Sequence, residues 1–380
     1  MTEDTLVVVY PSLFAENKIN QLIENIKRIL KIKNLKFGKI TKDDFLICVQ
    51  ADDPVFVSSA IALLFGIKQI VIAKKIKNDF KTIVSQVGEI GSNLLLKGEK
   101  FYVKADGNAK GFVIKDLELA ATSTLIQKNQ KISAKPGTEA KHDKLLQIYV
   151  TKSNAYVCIF VDEGLGGTVN NSQMRKTVCS VYDEFSALNC LETIKQGFEV
   201  KLLICYETRE NVIHLVKIID KILPRMLRPE VEIEFHKIQE YGKNQEGYYQ
   251  KIFHITNLQI KFCRNTLTKG ESKHYVSTIS LAVSPLIFGN ELRRILQKQC
   301  YGQVLDAHFP LSGIDSEIMK NAKEIGMEKY FSKIEKLSKM KPFTNEKIDN
   351  RRSSSKKKII KVKLGPNNVH AILDSLEIEH

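Results

Sequence analysis

RKTVCSVYDEFSALNCLETIKQGFEVKLLICY, residues 175–206, is the stretch that decides the fold. An apolar, β-branched run (RKTVCSVY, 175–182) gives way at Asp183 to helical spacing (FSALNCLETIKQ, 185–196), and a second such run (FEVKLLICY, 198–206) follows Gly197. Strand, helix and strand with short joints predict a parallel pair linked by a crossover helix. The alternation continues through ENVIHLVKIIDKIL (210–223), EVEIEFHKI (230–238), a helix around 250–267, YVSTISLAV (275–283), QVLDAHF (303–309) and SEIMKNAKEIG (316–326). A mostly parallel, doubly wound sheet with helices on both faces is the expected result. Asp183 and Glu184 bring negative charge to the start of the first helix. There each acid stabilises the helix by about 0.3–1 kcal/mol and repels an approaching anion.

Upstream, the pattern changes. TLVVVY (5–10) reads as a strand, and residues 17–31 place Ile19, Leu22, Ile23, Ile26, Ile29 and Leu30 on one helical face. LKFGKI (35–40) and DDFLICVQ (43–50) read as strands. PVFVSSAIALLF (54–65) reads as a helix with Pro54 in its first turn, and KQIVIAKKI (68–76) as a last strand. The order βαββαβ predicts a ferredoxin-like unit over residues 1–78. A second unit is expected over residues 79–168. It comprises a helix at 79–96 broken at Gly88 and Gly91, a strand at FYVKA (101–105), a helix capped by Asp116, a turn-rich connector at 136–144, and a hairpin over 145–162 turning near Ser153–Asn154. The doubly wound unit spans 169–345. Residues 346–380 then read as a basic linker, NRRSSSKKK (350–358), with a strand-like run and short helix behind it.

Charge points to the partner. The chain of 380 residues carries a net +15. Residues 97–152 hold eleven lysines against six acids, and residues 345–363 hold eight basic residues against two acids. Clustered lysine and arginine favour a polyanion, because each phosphate they neutralise releases counterions. No apolar run reaches the roughly 18 residues needed to span a bilayer. The opening MTEDTLVVVYPS is acidic rather than basic, so the expectation is a cytoplasmic protein without a membrane partner. The seven cysteines are scattered, with no Cys-x-x-Cys pair, and read as buried thiols. The eight histidines show no zinc spacing, so no metal site is expected.

Three stretches together carry a family likeness. LLFGIKQIVIA (63–73), FYVKADGNAKGFVIKDLEL (101–119) and GLGGTVNNSQMRKTVCSVYDEFSALNCLETIKQGFEV (164–200) occur in an order that resembles the 4-thiouridine tRNA sulfurtransferases. The resemblance implies a multidomain α/β and α+β chain: a ferredoxin-like domain, a THUMP RNA-binding domain, and a Rossmann-like, adenine nucleotide alpha hydrolase-like ATP-pyrophosphatase domain. It also implies tRNA or another structured RNA as partner. Lys104 and Lys110 hold the family's basic positions, with Lys115, Lys128, Lys131, Lys135, Lys141 and Lys144 as further candidates for phosphate contact. Arg351, Arg352, Lys356, Lys357 and Lys358 are expected to form a mobile basic arm.

Departures from the family concern the chemistry. Its phosphate loop, Ser-Gly-Gly-x-Asp-Ser, falls here on Val181, Tyr182, Asp183, Glu184, Phe185 and Ser186, and only the last serine matches. Without the glycines the backbone cannot bend sharply and offer bare N–H groups to a pyrophosphate. PLSGIDSE (310–317) looks like a displaced phosphate loop but matches a late family turn that opens a helix at Asp315 or Ser316. The family's sulfur-carrying cysteine should lie between Ile325 and Pro342, where none occurs, and its glycine-rich substrate segment is reduced to SPLIFGNEL (284–292). In the THUMP stretch, Asp106 and Gly107 stand where a basic pair is expected. The expectation is a tRNA-binding protein whose nucleotide domain has lost its reaction, with no catalytic residue and no cofactor. ATP and Mg would be needed only if it were instead a divergent tRNA-modifying enzyme working with a second protein subunit. An adaptor using its basic tail on an acidic partner is the third possibility.

Overall fold

A computed structural model describes residues 5–109, 111–242, 244–268, 276–282, 306–311, 316–338 and 356–377. The chain divides into two units, Met1–Thr168 and Val169–His380.

The first unit is built on one eight-stranded sheet. Its first half contains β1 (Thr5–Pro11), α1 (Ile19–Ile32), β2 (Phe37–Asp43), β3 (Leu46–Ala51), α2 (Pro54–Ile61) and β4 (Ile67–Lys77). β1 is central and antiparallel to both β3 and β4, giving the strand order β2-β3-β1-β4 of a ferredoxin-like fold. The sequence pattern explains each joint. Asp44, left-handed at φ 58°, makes the two-residue turn between β2 and β3. Asp53 caps α2 by accepting from the Val55 and Phe56 amides, and Pro54 occupies the first turn where no donor is needed. On α1, Leu22, Ile26, Ile29 and Leu30 are buried, which is the apolar face read from the sequence.

The sheet does not stop at β4. The second half adds α3 (Phe80–Leu94), β5 (Lys100–Gly107), α4 (Ile114–Lys128), β6 (Lys135–Pro136), β7 (Lys144–Val150) and β8 (Asn154–Gly166). β8 pairs along β4, so the order runs on as β4-β8-β7-β5-β6. α3 and α4 cover this half through a core that includes Ile83, Val87, Phe101, Val103, Leu117, Leu125, Leu146 and Val157.

Two expectations for this half are corrected. α3 is continuous, and its glycines are contact points rather than breaks. A Cβ at Gly91 would lie 2.4 Å from Leu125 Cδ2, and one at Gly88 2.8 Å from Thr124 Cγ2, so both are bare to let α4 approach. Asp116 does not cap α4: the helix begins at Ile114 after Val113, and Asp116 sits inside the first turn, where its charge favours the helix dipole.

The second unit contains β9 (Lys176–Val181), α5 (Glu184–Lys195), β10 (Glu199–Tyr206), α6 (Arg209–Ile219), β11 (Glu230–Lys237), α7 (Gln245–Thr268), β12 (Val276–Ser280) and β13 (Asp306–His308). Helices Ser316–Glu324 and Phe331–Ser338 follow, then β14 (Lys356–Lys363) and a helix at Asn368–Ser375. The sheet order is β13-β12-β9-β10-β11-β14, with the first five parallel and β14 antiparallel at the edge. Strand order reverses between β9 and β12. The crevice outside the carboxyl ends of that pair is where a doubly wound sheet places its ligand.

β14 overturns the expectation of a mobile arm for Lys356, Lys357 and Lys358. All three lie in a strand, opposite Lys237, His236 and Phe235 of β11. Arg351 and Arg352 lie outside the described residues.

Candidate nucleic-acid interface and the nucleotide loop

The lysines predicted for the first unit separate into two groups. β5, β6 and β7 start side by side: Lys100 is opposite Lys135, and Phe101 is opposite both Lys144 and Pro136. Lys141 precedes β7 and Lys128 ends α4, while Lys131 lies in the 3-10 turn Gln130–Ile132. The Gly98 amide donates to Ile132 O at 2.9 Å and ties that turn to the loop carrying Lys97. Lys97, Lys100, Lys128, Lys131, Lys135, Lys141 and Lys144 are exposed, and among the described residues none has a carboxylate within ion-pair distance. The nearby acids are occupied elsewhere. Asp143 Oδ2 accepts from the Lys100 amide and Glu99 Oε2 from the Leu96 amide, each at 2.8 Å. What remains at this end of the sheet is a net excess of positive charge, seven lysines against Glu99 and Asp143. Sequence reading missed Lys97 and Lys100 as members, although the lysine count alone contained them.

Lys104 and Lys115 do not join this group. Lys104 Nζ pairs with Glu139 at 2.7 Å, and that hydrogen bond raises its pKa. Lys115 Nζ is 3.7 Å from Glu118, whose other oxygen accepts from the Ala105 amide at 2.9 Å. Lys110 lies outside the described residues.

Asp106 and Gly107 acquire a structural meaning. Asp106 Oδ2 accepts from Gln147 Nε2 at 2.7 Å across the sheet. Gly107 has φ 119°, and a Cβ there would meet Val150 O at 1.9 Å. No side chain fits, so the position is held by backbone packing rather than left vacant by chance.

The loop Val181–Ser186 is buried throughout. Asp183 is the N-cap of α5: its Oδ1 accepts from the Ser186 amide at 2.8 Å, and Ser186 Oγ accepts from the Tyr182 and Asp183 amides at 2.9 Å each. The donors that a phosphate loop would turn toward its ligand are therefore satisfied by the loop's own side chains. The second oxygen of Asp183 accepts from the Tyr248 hydroxyl of α7 at 3.0 Å. Burial raises the Tyr182 phenol well above its usual pKa, so the ring is neutral filling.

Glu184 faces α6 and the helix Phe331–Ser338. Its carboxylate meets His214 Nε2 at 2.9 Å and Lys333 Nζ at 2.6 Å. Burial pushes its pKa up, but Lys333 and His214 outweigh that and hold it below the ordinary glutamate value. Phe185, Leu188 and Leu191 complete a helix start built for packing.

At the strand-order reversal the described residues leave almost no room. The void lined by Ser180, Tyr182, Ile252, Gln259, Ser280 and Ala282 measures about 10 Å³. That is space for one water at most, whereas small-molecule sites run to roughly 300–1,000 Å³. Polar contacts pack the side chains beside it: Asn189 Nδ2 donates to Ser280 Oγ at 2.9 Å, and Gln259 Nε2 donates to Ser280 O at 2.9 Å. The described residues here, with the loop amides already held by Asp183 and Ser186, do not fit the phosphates of a nucleoside triphosphate. SPLIFGNEL and Asp315 lie outside the described residues, and the helix expected after PLSGIDSE begins at Ser316.

Other chemistry finds little to work with. The described cysteines are all buried, and burial pushes the Cys205 thiol up to about 12, the opposite of an activated nucleophile. Cys300 lies outside the described residues. His236, at the end of β11, is bound to Glu234 at 2.7 Å, and His308 of β13 packs against Phe198 with ring centroids 4.5 Å apart. Among the described residues no group of three metal-ligating side chains converges, and no helix is long and apolar enough to cross a membrane.

Comparison with known proteins places the fold. No family model matches the chain, and no curated protein matches it in sequence. Among solved structures it is similar to PH1313 from Pyrococcus horikoshii Ot3, with TM-score 0.59 and 15% identity over 85% of this chain and 99% of that one. It is equally similar to a 4-thiouridine synthetase solved as an RNA complex with bound ATP, with TM-score 0.59 and 13% identity over 91% of this chain and 92% of that one. The fold is thus the multidomain α/β architecture of these two structures, shared at an identity that carries over no activity.

Proposed function

We propose that this protein binds tRNA through its first unit, and that its second unit is a scaffold that neither binds ATP nor transfers sulfur. The observation that carries the first part is the end of the sheet where Lys97, Lys100, Lys131, Lys135, Lys141 and Lys144 stand exposed without carboxylate partners. Such a surface gains from phosphate contact because neutralisation releases counterions, and its spread over adjacent strand starts suits a folded RNA backbone better than a point ligand. The RNA complex of the similar 4-thiouridine synthetase makes tRNA the partner to try first.

The second part rests on the self-capped loop. Asp183 and Ser186 already hold the amides at the start of α5, and Tyr182 fills the crevice beside them. A triphosphate would have to displace a buried carboxylate, which costs more than the cap itself contributes.

Filter binding of unmodified tRNA across a salt series tests the first part. Affinity should fall steeply with salt, and binding that is absent or indifferent to salt overturns it. Calorimetric titration with ATP and Mg tests the second, where measurable binding by the native protein refutes it.

A further inference from the structure

α6 turns a second stripe of side chains away from the core. Glu210, His214 and Lys217 lie on the flank opposite the buried Val212, Leu215 and Ile219, and Lys221 continues the stripe in the turn after the helix. This stripe forms one wall of a cavity of about 410 Å³, and the chain at Gly326–Tyr330 forms the other. The cavity lies within the second unit, and none of its lining belongs to the void at the strand-order reversal.

Its charge is predominantly positive, three lysines against the single carboxylate of Glu210. Lys217, Lys221 and Lys329 line it, and among the described residues none has a carboxylate within ion-pair distance. Elsewhere in the unit Lys195, Lys251, Lys333, Lys357 and Arg228 each pair with an acid. The fourth cation at this end, Lys333, is withdrawn to Glu184. Lys329 lies 4.9 Å above the Tyr330 ring, which leaves its ammonium at the cavity edge without neutralising it. Met327 and Ile218 supply an apolar floor, and the Tyr330 ring, edge-on to His214 at 5.2 Å, supplies a wall.

We propose that this cavity binds a small phosphorylated ligand, its phosphate held by Lys217, Lys221 and Lys329 and its body resting on Met327 and the Tyr330 ring. Three ammonium groups around one concavity repel one another until an anion arrives, and a phosphate accepts from all three at once. The volume suits a ligand the size of a mononucleotide. The phosphate could belong to a free small molecule or to the 5′ end of an RNA, and both present the same chemistry to the lysines. The assignment is independent of tRNA binding by the first unit.

The test uses the full-length protein and three probes in calorimetry at low salt: adenosine 5′-monophosphate, a 5′-phosphorylated ribotetranucleotide, and the same tetranucleotide without its phosphate. A phosphorylated probe should bind and the dephosphorylated one should bind at least tenfold more weakly. Lys217→Glu/Lys221→Glu should weaken the phosphorylated probe at least tenfold, and Lys329→Glu severalfold, with far-UV circular dichroism unchanged. Lys361→Glu, on β14, should leave binding as it was. Which phosphorylated probe binds identifies the source of the phosphate. Failure of both to bind at millimolar concentration overturns the proposal, as does binding that survives both charge reversals.

Discussion

Two lysine-rich regions of similar composition meet different ends in this molecule. In the first unit, the lysines at the starts of β5, β6 and β7 make no ion pair among the described residues, and Glu99 and Asp143 accept from backbone amides instead. In the second unit, KKKIIKVK (356–363) runs antiparallel to EVEIEFHK (230–237) in a register that sets Lys363 opposite Glu230 and Lys361 opposite Glu232, with Lys357 Nζ reaching Glu234 at 2.7 Å. There the lysines are cross-strand partners, each pair worth about 0.2–1 kcal/mol, and they also protect an edge strand from pairing with other chains. The lesson is that a basic stretch predicts a polyanion only when the fold leaves its charge unanswered.

The largest effect expected from breaking that contrast comes from the unanswered side. Lys100→Glu, Lys131→Glu, Lys135→Glu and Lys144→Glu together should lower tRNA affinity more than tenfold. The dependence of log affinity on log salt should also shallow by about 0.7–0.9 for each lost phosphate contact. Reversing Lys361 and Lys363 instead should leave affinity within about twofold while costing roughly 1–2 kcal/mol of stability, because each glutamate then faces a glutamate. Urea denaturation and filter binding on the same preparations separate the two. Equal loss of binding in both variants would dissolve the contrast.

A sharper probe asks whether the basic pair expected beside Lys104 can be restored. Gly107→Lys should not raise tRNA affinity. It should destabilise the first unit by several kcal/mol, since its Cβ would sit 1.9 Å from Val150 O. At the nucleotide loop, Asp183→Ala should cost about 1 kcal/mol through loss of the cap, with no gain of ATP binding by calorimetry.

The smallest effect expected is a pH dependence. Glu234 is pushed up by burial, but His236 and Lys357 prevail and hold its folded pKa below the ordinary value of 4.5. A carboxylate shifted down favours the folded state while charged. Its stabilisation is therefore complete above about pH 4.5 and is lost as pH falls through the lower, folded value. Glu234→Gln should flatten this part of a melting-temperature profile between pH 6 and pH 3, and an unchanged profile would remove Glu234 from the account.

Much of the fold was legible because it rests on periodicity. The alternation of type from residue 175 onward predicted a parallel sheet, and the order βαββαβ predicted the ferredoxin-like half, down to Pro54 in the first turn of α2. The altered loop was legible too, since Tyr182, Asp183 and Glu184 are visibly unlike a phosphate cradle. The misread positions are those whose role is set by a distant neighbour. Gly88 and Gly91 look like helix breaks until α4 is laid against them. Lys104 looks like a phosphate ligand until Glu139, far along the chain, claims it. One signal was available in the sequence: Glu230 and Glu232 in EVEIEFHK match Lys363 and Lys361 in KKKIIKVK at a period of two, which is how two strands announce a ladder.

By itself, the order of residues determined the secondary elements, their layering and the absence of glycine from the loop after β9, because those depend on local backbone preference and on the spacing of apolar side chains. Only the tertiary structure decided which lysines remain available to a partner, that the amides at the start of α5 are held by Asp183 and Ser186, and that a cavity opens beside α6. Electrostatic pairing and packing join residues far apart in the chain, and no local pattern records which charge will find its complement.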